Sequence, residues 1–322
     1  KENNSDIGYL GYRKFLETSG FKTNLRETAL IGVVDIGIFY DYPDLKDRIY
    51  VNNKEIPNNN IDDDNNGYID DYRGVDIGHP ECINNACIDM YNSHHGTEMA
   101  SIIASATDNG IDITGIAPDA IKLLPINSSK DYEKVDTYIE AYEYLLDMKE
   151  RGANIVGFNI SAGGGASKTE YEYMKKLEEA DIIVIASAGN DKMLIDPMNG
   201  MTMENDSMGV YPAKYDTENI ISVGAYDENG AKASFSNYGN RVHIYTPGIS
   251  IISQPYPEID KLIAVDGTSP AAAVMSGIIG IAKYLYPECS NIALRDFIIN
   301  KASESMGKFG TFDVKTIKLS ST

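Results

Sequence analysis

Ser269, His95 and Asp35 are the residues of this chain whose types and settings suit nucleophilic hydrolysis. That chemistry needs a hydroxyl to attack, a base to take its proton, a carboxylate to orient the base, and donors for the oxyanion that develops. Only four histidines are present to supply the base. His95 heads His95-Gly96-Thr97, just before the helical, small-residue run Met99-Ala100-Ser101-Ile102-Ile103-Ala104. A neutral imidazole, with a reference pKa of roughly 6.5, suits a base working near neutral pH. Glu98 does not turn it into a metal pair, because no His-Glu-x-x-His is present. Asp35 closes the apolar run Ile31-Gly32-Val33-Val34, which puts a carboxylate at a strand's C-terminal edge, where sites of open α/β sheets collect. Ser269 follows Gly267-Thr268 and immediately precedes an Ala-rich apolar helix. Burying that helix holds the hydroxyl at its N-terminus, where the dipole favours negative charge. Taken singly, these residues read as a surface histidine, a strand cap and a helix N-cap.

The elements that must hold them are legible as short Val- and Ile-rich runs at 29–35, 121–126, 155–160, 182–188, 220–225 and 242–245. Strands buried on both faces give continuous apolar runs of this kind, the mark of a parallel sheet covered by helices. Helical patterns fall at 95–106, 133–150, 169–180, 268–286 and 292–302. The expected fold is α/β, a three-layer α/β/α arrangement with a mostly parallel central sheet. No repeat and no Pro-, Gly- or Ser-rich linker divides the 322 residues, so 1–322 reads as a single domain. The stretch 52–92 stands apart as an acidic, Asn- and Asp-rich loop insertion.

Composition excludes several classes. With 28 Lys+Arg against 48 Asp+Glu, the formal charge of −20 repels phosphates, so neither nucleic acid nor an anionic membrane is an expected partner. The longest nearly apolar stretch, 271–282, is 12 residues, short of the roughly 18 that span a bilayer. Three cysteines make neither a disulfide framework nor a four-thiolate zinc site. The spacing of Cys82 and Cys87 permits a local disulfide, with Cys289 then the odd one, and leaves a reduced pair equally open. The polar residues 1–6 lack a signal-peptide pattern, so the chain is either cytosolic or begins after processing.

Asp35-Ile36-Gly37 with Pro43-Asp44-Leu45, His95-Gly96-Thr97 and Gly267-Thr268-Ser269 occur in the order Asp, His, Ser. Between them lie Gly115-Ile116-Ala117-Pro118, Ala186-Ser187-Ala188-Gly189-Asn190, Tyr211-Pro212-Ala213 and Ser234-Phe235-Ser236-Asn237-Tyr238-Gly239. Over nearly its whole length the chain therefore resembles the subtilisin-like serine proteases, the subtilases. The resemblance implies that Asp35 orients His95, that His95 deprotonates Ser269, and that Asn190 is a side-chain oxyanion donor beside the Ser269 backbone N–H. It implies a substrate-pairing edge at Ser161, Ala162 and Gly163 within Asn159-Ile160-Ser161-Ala162-Gly163, and a place for Val210 at the bottom of the primary specificity pocket. It also implies polypeptide substrates, a secreted location and an inhibitory prosegment. The 34 residues before Asp35 fit a processed or trimmed catalytic domain, and 310–314 resemble the family's closing segment. Departures are Ile36 where Ser or Thr is usual, Tyr42 for a common His, and Pro270, Ala273 and Val274 for Met, Pro and His after the nucleophile. None removes a group that moves protons.

Asp62-Asp63-Asp64-Asn65-Asn66-Gly67-Tyr68-Ile69-Asp70-Asp71 carries the spacing of an EF-hand-like loop. Asp62, Asp64, Asn66, Tyr68 and Asp70 are the expected calcium (Ca2+) ligands, with Gly67 at the sharp turn. Arg73 stands where a bidentate Glu would complete an EF-hand, and a solvated acidic loop is the alternative. The resemblance suggests a second calcium position at Asp44 and Asn109. The reading is then a secreted, calcium-stabilised serine endopeptidase, with a catalytically impaired binding or regulatory module as its rival. An acid peptidase of sedolisin type would need Glu and Asp where His95 and Asn190 stand.

Overall fold

Seven parallel strands form the frame of the computed structural model, which describes residues 28–77, 94–111, 113–128, 135–196, 210–254 and 261–301, and the backbone of 303–309 and 312–316. The strands are β1 (Ala29–Asp35), β2 (Val75–Asp76), β3 (Ile121–Asn127), β4 (Ile155–Ile160), β5 (Ile183–Ser187), β6 (Ile220–Tyr226) and β7 (Ile244–Pro247). A separate antiparallel pair, β8 (Ile251–Ser253) and β9 (Ile263–Val265), follows, and β10 (Ser303–Phe309) and β11 (Phe312–Thr316) extend the sheet past β7. The sheet order is β10-β11-β7-β6-β5-β4-β1-β3-β2. Chain direction across the sheet reverses around β1, whose neighbours are β3 and β4, so a crevice opens at the carboxyl ends of these strands. Asp35 is the last residue of β1 and lies in register with Asn127 at the end of β3.

Helices α1 (His95–Ala104), α2 (Val135–Glu150), α3 (Lys168–Glu179), α4 (Thr268–Leu285) and α5 (Asn291–Lys301) cover the two faces. One apolar cluster joins α1 and α4 to the sheet through Ile31, Ile103, Ile185, Val223, Met275 and Ile279. The other joins α2 and α3 through Leu30, Tyr142, Leu145, Phe158, Met174 and Leu177. The three-layer α/β/α expectation matches this arrangement. α4 is apolar nearly all round because it is buried nearly all round.

The structure adds strands that periodicity does not mark. β2 lies inside 52–92, the stretch read as loop, and forms the edge of the sheet, pairing in parallel with β3. Two residues of strand are too short to show a period. Nor are residues 52–77 merely a solvated loop, since Asn52, Glu55, Asn66, Asp70 and Asp71 are all buried. The strand expected at 242–245 begins instead at Ile244, because Val242 N–H closes a turn on the Gly239 carbonyl. Cys82 and Cys87 lie outside the described residues, while Cys289 is a free, exposed thiol.

Candidate active site

At the carboxyl end of β1 the Asp35 carboxylate faces the first residue of α1. His95 Nδ1 stands 3.0 Å from Asp35 Oδ1 and 2.9 Å from Oδ2. Asp35 is buried and takes a further hydrogen bond from Ile36 N–H at 2.9 Å, so Ile36 supplies a backbone donor although its side chain cannot donate. A carboxylate held this way fixes the ring's orientation and makes Nδ1 the protonated nitrogen, leaving Nε2 as the basic one. Gly96 lets α1 approach: a Cβ there would lie 2.1 Å from the Gly37 carbonyl oxygen and 3.3 Å from Asp35 Cβ. Thr97 fastens the same corner, its hydroxyl accepting Phe39 N–H at 2.9 Å.

Ser269 is the second residue of α4 and is partly exposed, while the helix behind it is buried. Gly267 is the N-cap, so Pro270 falls in the first turn, where a backbone N–H has no intrahelical partner to lose. Pro270, Ala273 and Val274 are all buried in a regular helix. The departures from the family pattern thus leave the scaffold of the serine unbroken.

Asn190 follows the end of β5, and its amide is oriented by Thr268. Thr268 N–H donates to Asn190 Oδ1 at 2.9 Å and the Thr268 hydroxyl lies 3.0 Å from the same oxygen. With Oδ1 so engaged, the NH2 group is the side of the amide left to donate. It lies by Gly267, 3.7 Å from where a Cβ would stand there. Thr268 lies inside the Gly-Thr-Ser block, where the sequence alone gives it no task. Its role is visible only once β5 and α4 are side by side.

The expected substrate edge connects to the same helix. Asn159 Nδ2 donates to Ser161 Oγ at 3.0 Å, and Ser161 Oγ lies 3.5 Å from the Ser269 carbonyl, at the limit of a hydrogen bond. Ala162 and Gly163 follow toward solvent, and Gly164 pairs with Tyr211 through two backbone bonds of 3.0 and 3.1 Å. Val210, next to Tyr211, is buried with Ala188, Ile195, Tyr226, Val242 and Tyr245. Its Cγ1 is 3.1 Å from where a Cβ on Gly189 would lie, so it stands behind the residue that precedes Asn190.

The acidic loop gathers a set of oxygens that overlaps the expected one only in part. Carboxylate oxygens of Glu55, Asp62 and Asp64 come within 4.8 Å of one another. Glu55 Oε2 and Asp64 Oδ1 are buried without a hydrogen-bond partner. Burial raises the Glu55 pKa, and repulsion from Asp71, Asp64 and Asp63 adds to that rise. Three clustered carboxylates, two of them carrying an orphaned oxygen, fit a divalent cation such as calcium. Asp70 instead caps a turn by accepting Asn59 and Asn60 N–H, Asn66 Oδ1 accepts Tyr68 N–H, and Asp62 accepts Asn66 and Gly67 N–H. Glu55 lies outside the EF-hand-like spacing, so that spacing does not point to it. At the second expected position, Asp44 meets Asn109 Nδ2 at 2.5 Å and Gln254 Nε2 at 3.3 Å, so its buried carboxylate already has two amide donors.

A model of the Subtilase family matches residues 26–315. Subtilisin DY of Bacillus licheniformis is 31% identical over 214 residues, covering 65% of this chain and 70% of that protein. The Thermostable alkaline protease of Halalkalibacterium halodurans is 29% identical over 66% of this chain and 53% of its own length. Subtilisin-like protease 1 of Plasmodium falciparum, isolate 3D7, is 27% identical over 81% of this chain and 38% of its own length. The chain thus spans about half or less of these last two relatives. The crystal structure of a cold adapted subtilisin-like serine proteinase superposes with a TM-score of 0.65 over 92% of this chain and 91% of that one, at 17% identity, a likeness of fold.

Proposed function

The chain belongs to the subtilase family and is a serine endopeptidase by class, and from that premise we propose that Asp35, His95 and Ser269 form its catalytic triad, with Asn190 as oxyanion donor. The observation that carries this reading is the bidentate approach of the Asp35 carboxylate to His95 Nδ1. In the proposed reaction His95 Nε2 takes the Ser269 hydroxyl proton as Oγ attacks the scissile carbonyl of a polypeptide. The new oxyanion is met by Asn190 Nδ2 and the Ser269 backbone N–H. His95 then protonates the leaving amine, and an acyl-enzyme on Ser269 remains. Water, deprotonated by His95, releases the acid and restores Ser269. An extended substrate backbone pairs with Ser161, Ala162 and Gly163 by strand addition, which gives affinity from main-chain bonds.

A calcium ion held by Glu55, Asp62 and Asp64 stabilises the fold in this reading; it takes no part in the chemistry. Metal stoichiometry tests whether Asp44 and Asn109 provide a second position. Secretion, in line with a relative named Extracellular basic protease from Dichelobacter nodosus, and a removable inhibitory prosegment complete the proposal. Detection of the processed chain outside the producing cell tests that part.

Purified protein treated with a fluorophosphonate should be labelled at Ser269, and Ser269→Ala and His95→Ala should each lose several orders of magnitude in peptide turnover with the fold kept. A folded wild-type chain that neither labels nor cleaves is instead the binding or regulatory module, and wild-type turnover by Ser269→Ala overturns the triad.

A further inference from the structure

Asn159 places a buried amide in β4, a strand whose residues are all buried. An amide among apolar side chains costs free energy unless its two ends find partners. Here both ends do, and the partners belong to different parts of the site. Asn159 Oδ1 accepts the hydroxyl of Ser276, itself wholly buried in α4, at 3.1 Å. Asn159 Nδ2 donates to Ser161 Oγ at 3.0 Å. Ser276 has a second acceptor in reach, the Ala272 carbonyl at 2.9 Å, but that carbonyl lies one turn back in the helix, where the Ser276 N–H already meets it. The hydroxyl proton can therefore serve Asn159 at no cost to the helix.

The spacing of these residues explains why they meet. Ser269 and Ser276 are seven residues apart, so they lie on one stripe of α4, two turns and about 10 Å from each other along its axis. Asn159 and Ser161 are two residues apart, and in extended chain such a pair faces one side. The inner members bond through Ser276 and Asn159, while the outer members meet more loosely, with Ser161 Oγ 3.5 Å from the Ser269 carbonyl. The contact beside the nucleophile is weak by itself. Ser161 is held there from below, by an amide anchored two turns deeper in the core.

We propose that Asn159 is a positioning residue for acylation: holding the Ser161 hydroxyl from its anchor on Ser276, it sets the spacing between the substrate-pairing edge and the Ser269 nucleophile. The proposal rests on the triad and edge assignments given under the proposed function. A carbonyl carried on the edge must arrive within about 3–3.5 Å of Ser269 Oγ, and a displacement of about 1 Å can cost on the order of 10²-fold in rate. The triad and the oxyanion donor have supports of their own, since Asp35 holds His95 and Thr268 holds Asn190. Loss of Asn159 therefore shifts where an extended peptide lies and spares the groups that transfer the acyl chain.

The experiment compares two substrates on the wild-type chain and on variants whose folding is checked by thermal melts. One is a tetrapeptide anilide, which lies along the edge; the other is p-nitrophenyl acetate, a small ester that reaches Ser269 without it. Asn159→Ala should lower kcat for the anilide by about tenfold, the scale of one well-made hydrogen bond, with KM for the anilide and turnover of the ester each within about twofold of wild type. Ser276→Ala, which removes a single buried oxygen, should act in the same direction and gives the same comparison where Asn159→Ala does not fold. Ser161→Ala should show a loss on the anilide of the same size as Asn159→Ala, and Asn159→Ala added to it should cost no more than about twofold further, because the two residues act in series. Equal losses on anilide and ester would mean that Asn159 only supports the fold, and overturn the proposal. A loss confined to KM overturns it too, as do losses from Asn159→Ala and Ser161→Ala that multiply in the double variant. A folded wild-type chain that cleaves neither compound overturns the triad along with it, whereas each of the other failures leaves the triad standing.

Discussion

Thr268 holds Asn190 by the oxygen of its amide, with the Thr268 N–H at 2.9 Å and the hydroxyl at 3.0 Å. The neighbour of Ser269 thus sets which way the Asn190 amide, the proposed oxyanion donor, faces. Asn190→Ala should lower kcat by roughly 10²–10³ with little change in KM, since the donated bond forms in the transition state. Thr268→Val keeps the backbone donor but removes the hydroxyl, which also accepts Gly189 N–H at 3.1 Å, and should cost about tenfold in kcat. Thr268→Ser should restore most of that loss. Steady-state kinetics check this: an effect of Asn190→Ala confined to KM would mark Asn190 as a substrate binder.

Much of this site can be read before any coordinates, and the reason is physical. Asp35, His95 and Ser269 each adjoin a long apolar run, so strand and helix period place them at the ends of β1, α1 and α4. Thr268, Glu55 and Glu170 are different. Glu55 meets Asp62 and Asp64 across a turn with no period, and Glu170 meets Tyr142 and Tyr215 from elements 28 and 45 residues away. A buried Glu on α3 looks in sequence like any charged residue on a helix face. Only packing reveals that it faces inward.

Calcium should raise the melting temperature by several degrees in the Ser269→Ala protein, a background without self-digestion. A ligand at about 100 times its Kd adds roughly 2.7 kcal/mol to the native state. Glu55→Gln with Asp64→Asn should abolish most of the response, because it neutralises the two carboxylates with orphaned oxygens. Asp70→Asn should retain the response while lowering the baseline, since Asp70 serves the Asn59 and Asn60 amides. Thermal melts across a calcium titration decide it, and a flat titration would leave the cluster a merely buried acidic turn.

Stability itself should carry the mark of Glu170. Burial raises its pKa in the folded chain to about 7, above its ordinary value of 4.5, so the native state holds this proton more tightly than the unfolded chain. The contribution is fully present below pH 4.5 and is lost as pH rises through about 7. Glu170→Gln has nothing to titrate there. The melting temperature of the parent minus that of Glu170→Gln should therefore fall by several degrees between pH 4.5 and 8, then level off. A difference that stays constant with pH would mean that Glu170 is ionised in the native state.

Val210 should limit the primary pocket to small or medium apolar side chains. It is 3% exposed, packed among Ala188, Ile195, Tyr226, Val242 and Tyr245, and backs onto Gly189 beside Asn190. A β-branched side chain is stiff at χ1, so it cannot swing aside to admit a ring, and the volume it fills is closed to substrate. Discrimination by shape is on the order of 1–3 kcal/mol for each methylene-sized change, so the preference should be graded. Among matched peptides with Ala, Leu, Phe or Lys before the cleaved bond, kcat/KM should rank Ala and Leu above Phe, with Lys last. Val210→Gly should raise kcat/KM for the Phe peptide by about tenfold relative to the Ala peptide, at a cost in stability from the cavity left among its neighbours. Because Gly189 and Asn190 keep their own hydrogen bonds to Thr268, the change should act on the ranking and leave kcat for the Ala peptide within a few-fold. A wild-type preference for Phe, or a ranking untouched by Val210→Gly, would place the pocket's floor at another residue.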